Sequence, residues 1–402
     1  MIFEPDAISA EAELLLCCSR VHLDATARDR AKKLLGQQLD WEYLGRTAYD
    51  NAVLPLVYSN LRKHFPTAIS QPILKPLQIR FRDHVKHNFL LTAELLKLLG
   101  EFETRGIKAV PFKGPVLAVL AYGDLSLRQF SDLDILVRRE DVAVAKNIIL
   151  SKGFKLWEKP REVPDAVYLN SRHAETYVTE DGRVTLDLHW RFVQSQYSVE
   201  FEPAHLWSRL EPFSLGGKVI SCLKFDDLFL YLCIHGSKHC WERLGWICDI
   251  SEMVRAWPQP DWNSLLRRAE ALKIERVILL AFKLARDLLD APLAQSLATR
   301  IDKDPAIEKL SRLVLKKLFS QKIQSNKVLA KTYFQLKSRT HLQDKLPYLM
   351  YSFHMAVTPN EHDLKFLPLP KFLYFIYYPL RALRLAATYA FGRRKLVRKV
   401  LA

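Results

Sequence analysis

The chain has 402 residues, 49% of them hydrophobic and 26% charged, with a formal net charge of +16. This composition excludes a disordered or low-complexity chain, and the length suits about two or three domains around apolar cores. No apolar run reaches the length of roughly 18 residues that a membrane-spanning helix needs, and the six cysteines form no C-x-x-C pair, which argues against a disulfide framework.

The N-terminus, M-I-F-E-P-D-A, lacks the basic region of a secretory signal, and the cysteines read as reduced thiols. A cytoplasmic setting is therefore expected. The basic excess reads either as a solvated surface or as the mark of an anionic partner: nucleotide, nucleic acid or membrane.

In chain order, residues 8 to about 104 carry apolar residues at helical spacing, most clearly from Phe89 to Phe102, with Gly106 as a stop. The period then changes. Ile107 to Phe112 reads as a strand, followed by a Lys113-Gly114 turn and a short helix from Val116 to Ala121. Ser131 to Val137 reads as a strand, Asp141 to Ser151 as a helix closed by Gly153, and Phe154 to Trp157 as a short strand. From His173 to Trp190 two alternating runs flank E-D-G, a hairpin signal. The β-rich middle is expected to stop near Phe192, with helices again from Phe225. The expected plan is α+β: a helical region over 1–104, a small mixed-sheet core over 105–195, a helical domain over 196–340 and a basic, aromatic helical tail over 341–402.

The core carries an anomaly. In F-S-D-L-D-I-L-V, Asp132 and Asp134 share one face of a strand while Leu133, Ile135 and Val137 share the other. Unpaired carboxylates this close repel, and a divalent cation removes that cost. Mg²⁺ takes hard oxygen ligands, typically carboxylates together with substrate phosphate oxygens. A third lone acid, Asp187, stands on the polar face of V-T-L-D-L-H-W with Thr185 and His189. If the two strands are neighbours, three carboxylates converge and can hold metals that clamp a phosphoryl displacement. Asp187 can also serve as the base toward an attacking hydroxyl. The bland reading pairs Asp132 with Arg128, and Asp187 with Arg191 or His189.

The surrounding residues carry a resemblance. K-G-P-V-L-A-V-L-A-Y-G-D-L-S-L-R-Q-F-S-D-L-D-I-L-V (Lys113 to Val137) resembles the signature of an uncharacterised bacterial nucleotidyltransferase family in the DNA polymerase β-like superfamily. Leu186 to Arg191 (L-D-L-H-W-R) continues it, and so do His235, Gly236, His239, Trp241, Arg243, Leu244, Trp246 and Asp249 further on, with Trp241 one residue closer to His239 than the pattern has it. The resemblance covers about residues 105 to 255. It implies the nucleotidyltransferase fold and transfer of a nucleoside monophosphate from an NTP, ATP being the expected donor, with Mg²⁺ or Mn²⁺ held by Asp132, Asp134 and Asp187. The acceptor is a small molecule, protein or RNA. Lys113 and Gly114 stand where the superfamily has a Gly-Ser phosphate turn, at a helix N-terminus that favours anions. Pro115 occupies the place of the serine. Arg128, Ser131 and Lys238 complete the expected nucleotide contacts, Arg128 alternatively pairing with Asp124. Two other readings stand beside this one: a catalytically silent nucleotide-binding or membrane-associated scaffold, and an RNA-tailing enzyme.

His235 and His239, near Cys233, Cys240 and Cys248, have the i, i+4 spacing of a zinc pair but no finger spacing around them. They read as part of a helical domain closing over the core. Residues 371–402 contain no acid and mix aromatics with arginines. That pattern suits a docked terminal helix, an anionic membrane surface at the inner face, or nucleic acid.

Overall fold

The structure, a computed structural model, describes residues 8–158, 169, 172–192, 203–257, 260–319, 327–358, 373, 376–381 and 383–384. Two compact units, Met1–Thr340 and His341–Ala402, divide it.

The first unit opens with helices α1 (Ala10–Cys18), α2 (Ala25–Leu35), α3 (Trp41–Asp50), α4 (Leu54–His64) and α5 (Gln71–Thr104). Side chains of Ser9, Asp24 and Asp40 cap α1, α2 and α3, each accepting a backbone N–H of the first turn. Along α5, Leu91, Leu95, Leu98 and Phe102 recur at helical spacing and pack against the sheet. The helix stops where Gly106 turns to a left-handed φ of 70°.

The sheet contains β1 (Val110–Pro111), β2 (Asp132–Leu136), β3 (Phe154–Leu156), β4 (Ala174–Thr179) and β5 (Thr185–His189) in the order β1-β2-β5-β4-β3. Helix α6 (Gly114–Tyr122) joins β1 to β2, and α7 (Val142–Ser151) precedes β3. β2 and β5 run parallel, while every other pair is antiparallel. Leu133, Ile135, Leu186 and Leu188 fill the face toward α5 and are fully buried. This is the expected α+β plan: a small mixed sheet with helices before and after it.

One expectation fails. The β-rich part does not stop near Phe192. After α8 (Pro203–Ser208) comes a hairpin, β6 (Glu211–Leu215) and β7 (Lys218–Cys222), whose Leu215 and Cys222 join the core of the main sheet. The signal is present as E-P-F-S-L-G-G-K-V-I-S-C. Gly216 and Gly217 take φ of 56° and 79°, the two left-handed positions a tight hairpin turn requires.

Helices α9 (Phe225–Lys238), α10 (Leu244–Ala256), α11 (Trp262–Ala271), α12 (Glu275–Leu289), α13 (Gln295–Lys303), α14 (Pro305–Phe319) and α15 (Lys327–Lys337) follow. α10 lies along α6. Its N-terminus is held from the N-terminal region, where the Asn51 side chain and carbonyl accept the Leu244 and Gly245 N–H groups at 3.0 and 2.8 Å. The six cysteines are free and buried.

At the end of α9, Cys240 and Trp241 both have positive φ, and the Trp241 N–H returns to the Gly236 carbonyl. The chain doubles back and lays the Trp241 indole on the backbone of Gly236. A Cβ at 236 would overlap that ring. Gly236→Ala is expected to destabilise the fold by about 2–3 kcal/mol, the cost of overpacking a site that cannot yield. Thermal melting checks this, and an unchanged Tm would show that the indole can move.

In the second unit, α16 (Leu342–Val357) buries Asp344 and Tyr348 but leaves Leu342, Leu346, Leu349, Met350 and Phe353 exposed at helical spacing. Apart from 373, 376–381 and 383–384, the expected basic tail over 371–402 lies outside the described residues. Among the described residues no helix is long and apolar enough to cross a membrane.

Candidate functional site

β2 begins at Asp132, so its alternation places Asp132 and Asp134 on the face away from α5. The parallel register sets Asp134 opposite Asp187, and Leu136 opposite His189. Thr185, Asp187 and His189 therefore share the face of Asp132 and Asp134. One ligand atom each from Asp134, Asp187 and His189 lies within 4.8 Å of the others.

Each acid has a different environment. Asp134 is buried, and its Oδ1 accepts from Lys113 Nζ at 2.7 Å and from His189 Nε2 at 3.1 Å. Its Oδ2 is buried with no hydrogen-bond partner among the described residues. Burial opposes ionisation of Asp134, but the Lys113 ammonium and the His189 hydrogen bond outweigh it and hold the carboxyl far below the usual carboxylate range. Asp132 is pushed the other way, by burial first and the Asp134 charge second. Asp187 accepts the Thr176 hydroxyl at 2.6 Å from β4, where the two residues are register partners. Thus His189 is a partner of Asp134 beside Lys113, and among the described residues the hydrogen bond of Asp187 is the one from Thr176.

The oxygen set fits a hard divalent cation: an orphaned buried Oδ2 on Asp134, a second carboxylate two residues away, and a third across the strand pair. Mg²⁺ and Mn²⁺ match these donors.

Lys113 is the N-cap residue of α6 and Gly114 its first residue. Gly114 has φ of 50°, and a Cβ there would sit 3.3 Å from the Asp132 carbonyl oxygen. Only glycine brings the turn this close to β2. α6 ends at Tyr122 with Gly123 left-handed. The following loop is tied to α5 by the Asn88 amide, which donates to the Leu125 and Arg128 carbonyls at 2.6 and 2.9 Å. Arg128 reaches Asp249 on α10 with two bonds, at 2.7 and 3.0 Å, and the Tyr122 hydroxyl adds a third at 2.7 Å. The alternative pairing with Asp124 is not formed. Asp124 accepts the Ser126 N–H instead, two residues along. Arg128 Nη1 is buried without a partner among the described residues.

Lys113, Gly114, Arg128, Ser131, Asp132 and Asp134 line one cleft of about 300 Å³, whose other wall includes His235, His239, Glu242, Arg243 and Trp246. The His235 and His239 rings are 4.8 Å apart and lie 5.4 and 5.0 Å from Trp246. Burial keeps both imidazoles neutral, holding His239 down to about 4. Asp187 and Lys238 do not line this cleft. Lys238, the last residue of α9, is depressed mainly by burial and then by Lys113, and feels Asp187 and Asp134 as opposing charges.

Residues 37–290, well over half of the chain, match the family described as uncharacterised nucleotidyltransferase. The chain belongs to that family. It is a transferase of nucleotide groups on that ground, and the matched span contains the sheet, the α6 turn and helices α9 and α10. Among solved structures it is similar to the antibiotic-resistance factor ANT(2'')-Ia, in a solution structure titled as revealing substrate-regulated conformation dynamics. That similarity is 12% identity over 57% of this chain and 94% of that one, with a TM-score of 0.27. No curated protein matches the sequence.

Four participants were not given roles by the sequence. His189 stood on the polar face with Asp187, a visible signal in L-D-L-H. Thr176 belongs to the strand opposite, where only register reveals it. Tyr122 and Asp249 belong to the segments that carry the resemblance, but Asp249 meets Arg128 across 121 residues and Tyr122 across 127.

Proposed function

We propose that the protein moves a nucleoside monophosphate, AMP from ATP in the first instance, to a nucleophile on an acceptor, with Mg²⁺ or Mn²⁺ held by Asp132, Asp134 and Asp187. The observation that carries this reading is that Asp132, Asp134 and Asp187 share one sheet face beside the Gly114 turn, with ligand atoms of Asp134 and Asp187 within 4.8 Å of each other. When bound, the cation would neutralise charge on the triphosphate and on the departing pyrophosphate. Asp187, oriented by the Thr176 hydroxyl, takes the proton of the acceptor hydroxyl. The acceptor oxygen bonds to the α-phosphorus as the bond to the bridging oxygen breaks, and pyrophosphate leaves. Lys113, the Gly114 turn, Ser131 and the free Nη1 of Arg128 receive the triphosphate from the cleft. Lys238, which feels the charges of Asp187 and Asp134, adds positive charge for the triphosphate.

The test is transfer of label from each α-phosphate-labelled NTP, with Mg²⁺ or Mn²⁺, to small-molecule, protein or RNA fractions of a lysate. Label in one fraction names the acceptor class, and label in RNA selects the tailing reading. No transfer from any NTP, alongside intact nucleotide binding, selects the silent scaffold.

We further propose a setting in the cytoplasm at an anionic membrane surface. Support comes from the exposed apolar stripe of α16 and from residues 371–402, which carry no acid. Sedimentation with anionic vesicles should retain the full chain and lose most of it after deletion of 371–402 or on Leu346→Asp/Phe353→Asp. Equal pelleting of all three proteins would sink the idea.

A further inference from the structure

Asp134 Oδ1 is shared by two N–H donors, Lys113 at 2.7 Å and His189 at 3.1 Å. The Lys113 side chain is only 13% exposed, and its ammonium lies 5.9 Å from the ring centroids of both Phe112 and Tyr231. A cation is thus already built into the carboxylate cluster. It stands at the turn that leads to the phosphate-receiving end of α6, and it lines the same cleft as Gly114 and Arg128.

We infer that Lys113 is a resident counter-ion of Asp134, exchanged for the divalent cation and passed to the incoming triphosphate. The inference rests on the metal reading above. A dication on the open Oδ2 of Asp134 stands beside the ammonium held on Oδ1, and the repulsion between the two charges drives the ammonium off. The displaced ammonium is on a flexible four-carbon stem. A triphosphate in the cleft gives it a new partner. Metal and triphosphate then favour each other reciprocally. The same exchange gives Pro115 a reason: the turn contributes a mobile charge from Lys113 where a hydroxyl and an N–H would otherwise stand.

Mn²⁺ binding, read from the electron paramagnetic resonance of the free ion without nucleotide, tests the exchange. Lys113→Met and Lys113→Gln are expected to bind Mn²⁺ about tenfold more tightly than wild type, within the usual range of coupling between sites. Lys238→Met is the control. It removes a nearby charge that does not contact a ligand oxygen, and a much smaller change is expected. Equal tightening in Lys238→Met and the Lys113 variants would overturn the exchange in favour of a general charge effect. So would unchanged or weaker affinity in the Lys113 variants while wild type binds Mn²⁺. No Mn²⁺ binding by wild type or by any variant would overturn the metal reading itself. Thermal melting establishes which variants are folded, and Lys113→Gln, which keeps a hydrogen-bond donor at 113, decides the matter where Lys113→Met does not fold.

Discussion

Asp132→Asn is expected to slow transfer about 10³-fold yet leave the metal-free protein at least as stable as wild type, whereas Asp134→Asn is expected to lose both activity and stability. The two carboxylates are two residues apart, but their energetics have opposite signs. Asp132 makes no hydrogen bond among the described residues, and burial together with the Asp134 charge disfavours its ionised form. Replacing it with a neutral isostere removes a repulsion, so stability stays level or rises by about 1 kcal/mol. Asp134 is the counter-charge of a buried ammonium and the acceptor of His189. Neutralising it leaves Lys113 in a low-dielectric site without its partner, at a cost of about 3–5 kcal/mol. Either change removes a cation ligand, and a loss of about 4 kcal/mol of transition-state stabilisation slows transfer about 10³-fold. The measurement is a thermal melt in chelator beside the labelled-transfer assay. A fall in Tm for Asp132→Asn as large as for Asp134→Asn would mean that Asp132 is a structural ion-pair member and not a ligand kept at the expense of stability.

That difference marks how far the site was legible. A carboxylate at the polar phase of an apolar strand is a local signal, and it occurs at Asp132, Asp134 and Asp187. The change from helical to alternating period at Ile107 gave the α+β plan for the same reason. The parallel pairing of β2 with β5 is not local, since α7, β3 and β4 intervene. Nor is the Lys113 bridge to Asp134, because it needs the Gly114 turn to press against the Asp132 carbonyl. The hairpin at 211–222 was legible in its Gly-Gly turn, but Pro212 inside the first strand and the exposed, polar phase of both strands weakened the pattern. The histidines His235 and His239 had the right spacing for a metal. In the fold, burial against Trp246 makes them neutral cleft wall.

The remaining large effect concerns Asp249, which is not an expected ligand of anything yet is expected to be among the most damaging positions to change. Its carboxylate is 4% exposed and Arg128 is 11% exposed, and the two are joined by a bidentate pair with Tyr122 adding a third bond. Asp249→Ala strands a buried guanidinium and a buried phenol together. The expected cost is about 3–5 kcal/mol, or a Tm lower by about 4–7 °C for a unit of this size. Activity should fall with it, because Arg128 anchors the loop that delivers Ser131 and Asp132 to the cleft. The double replacement Arg128→Leu/Asp249→Leu separates the two contributions. Removing both charges and substituting apolar bulk is often close to neutral for stability. If the double variant recovers the wild-type Tm but still binds ATP analogues at least about tenfold more weakly, the free Nη1 of Arg128 is a phosphate contact in its own right. Recovery of both Tm and nucleotide affinity would confine Arg128 to the role of a brace between α6 and α10.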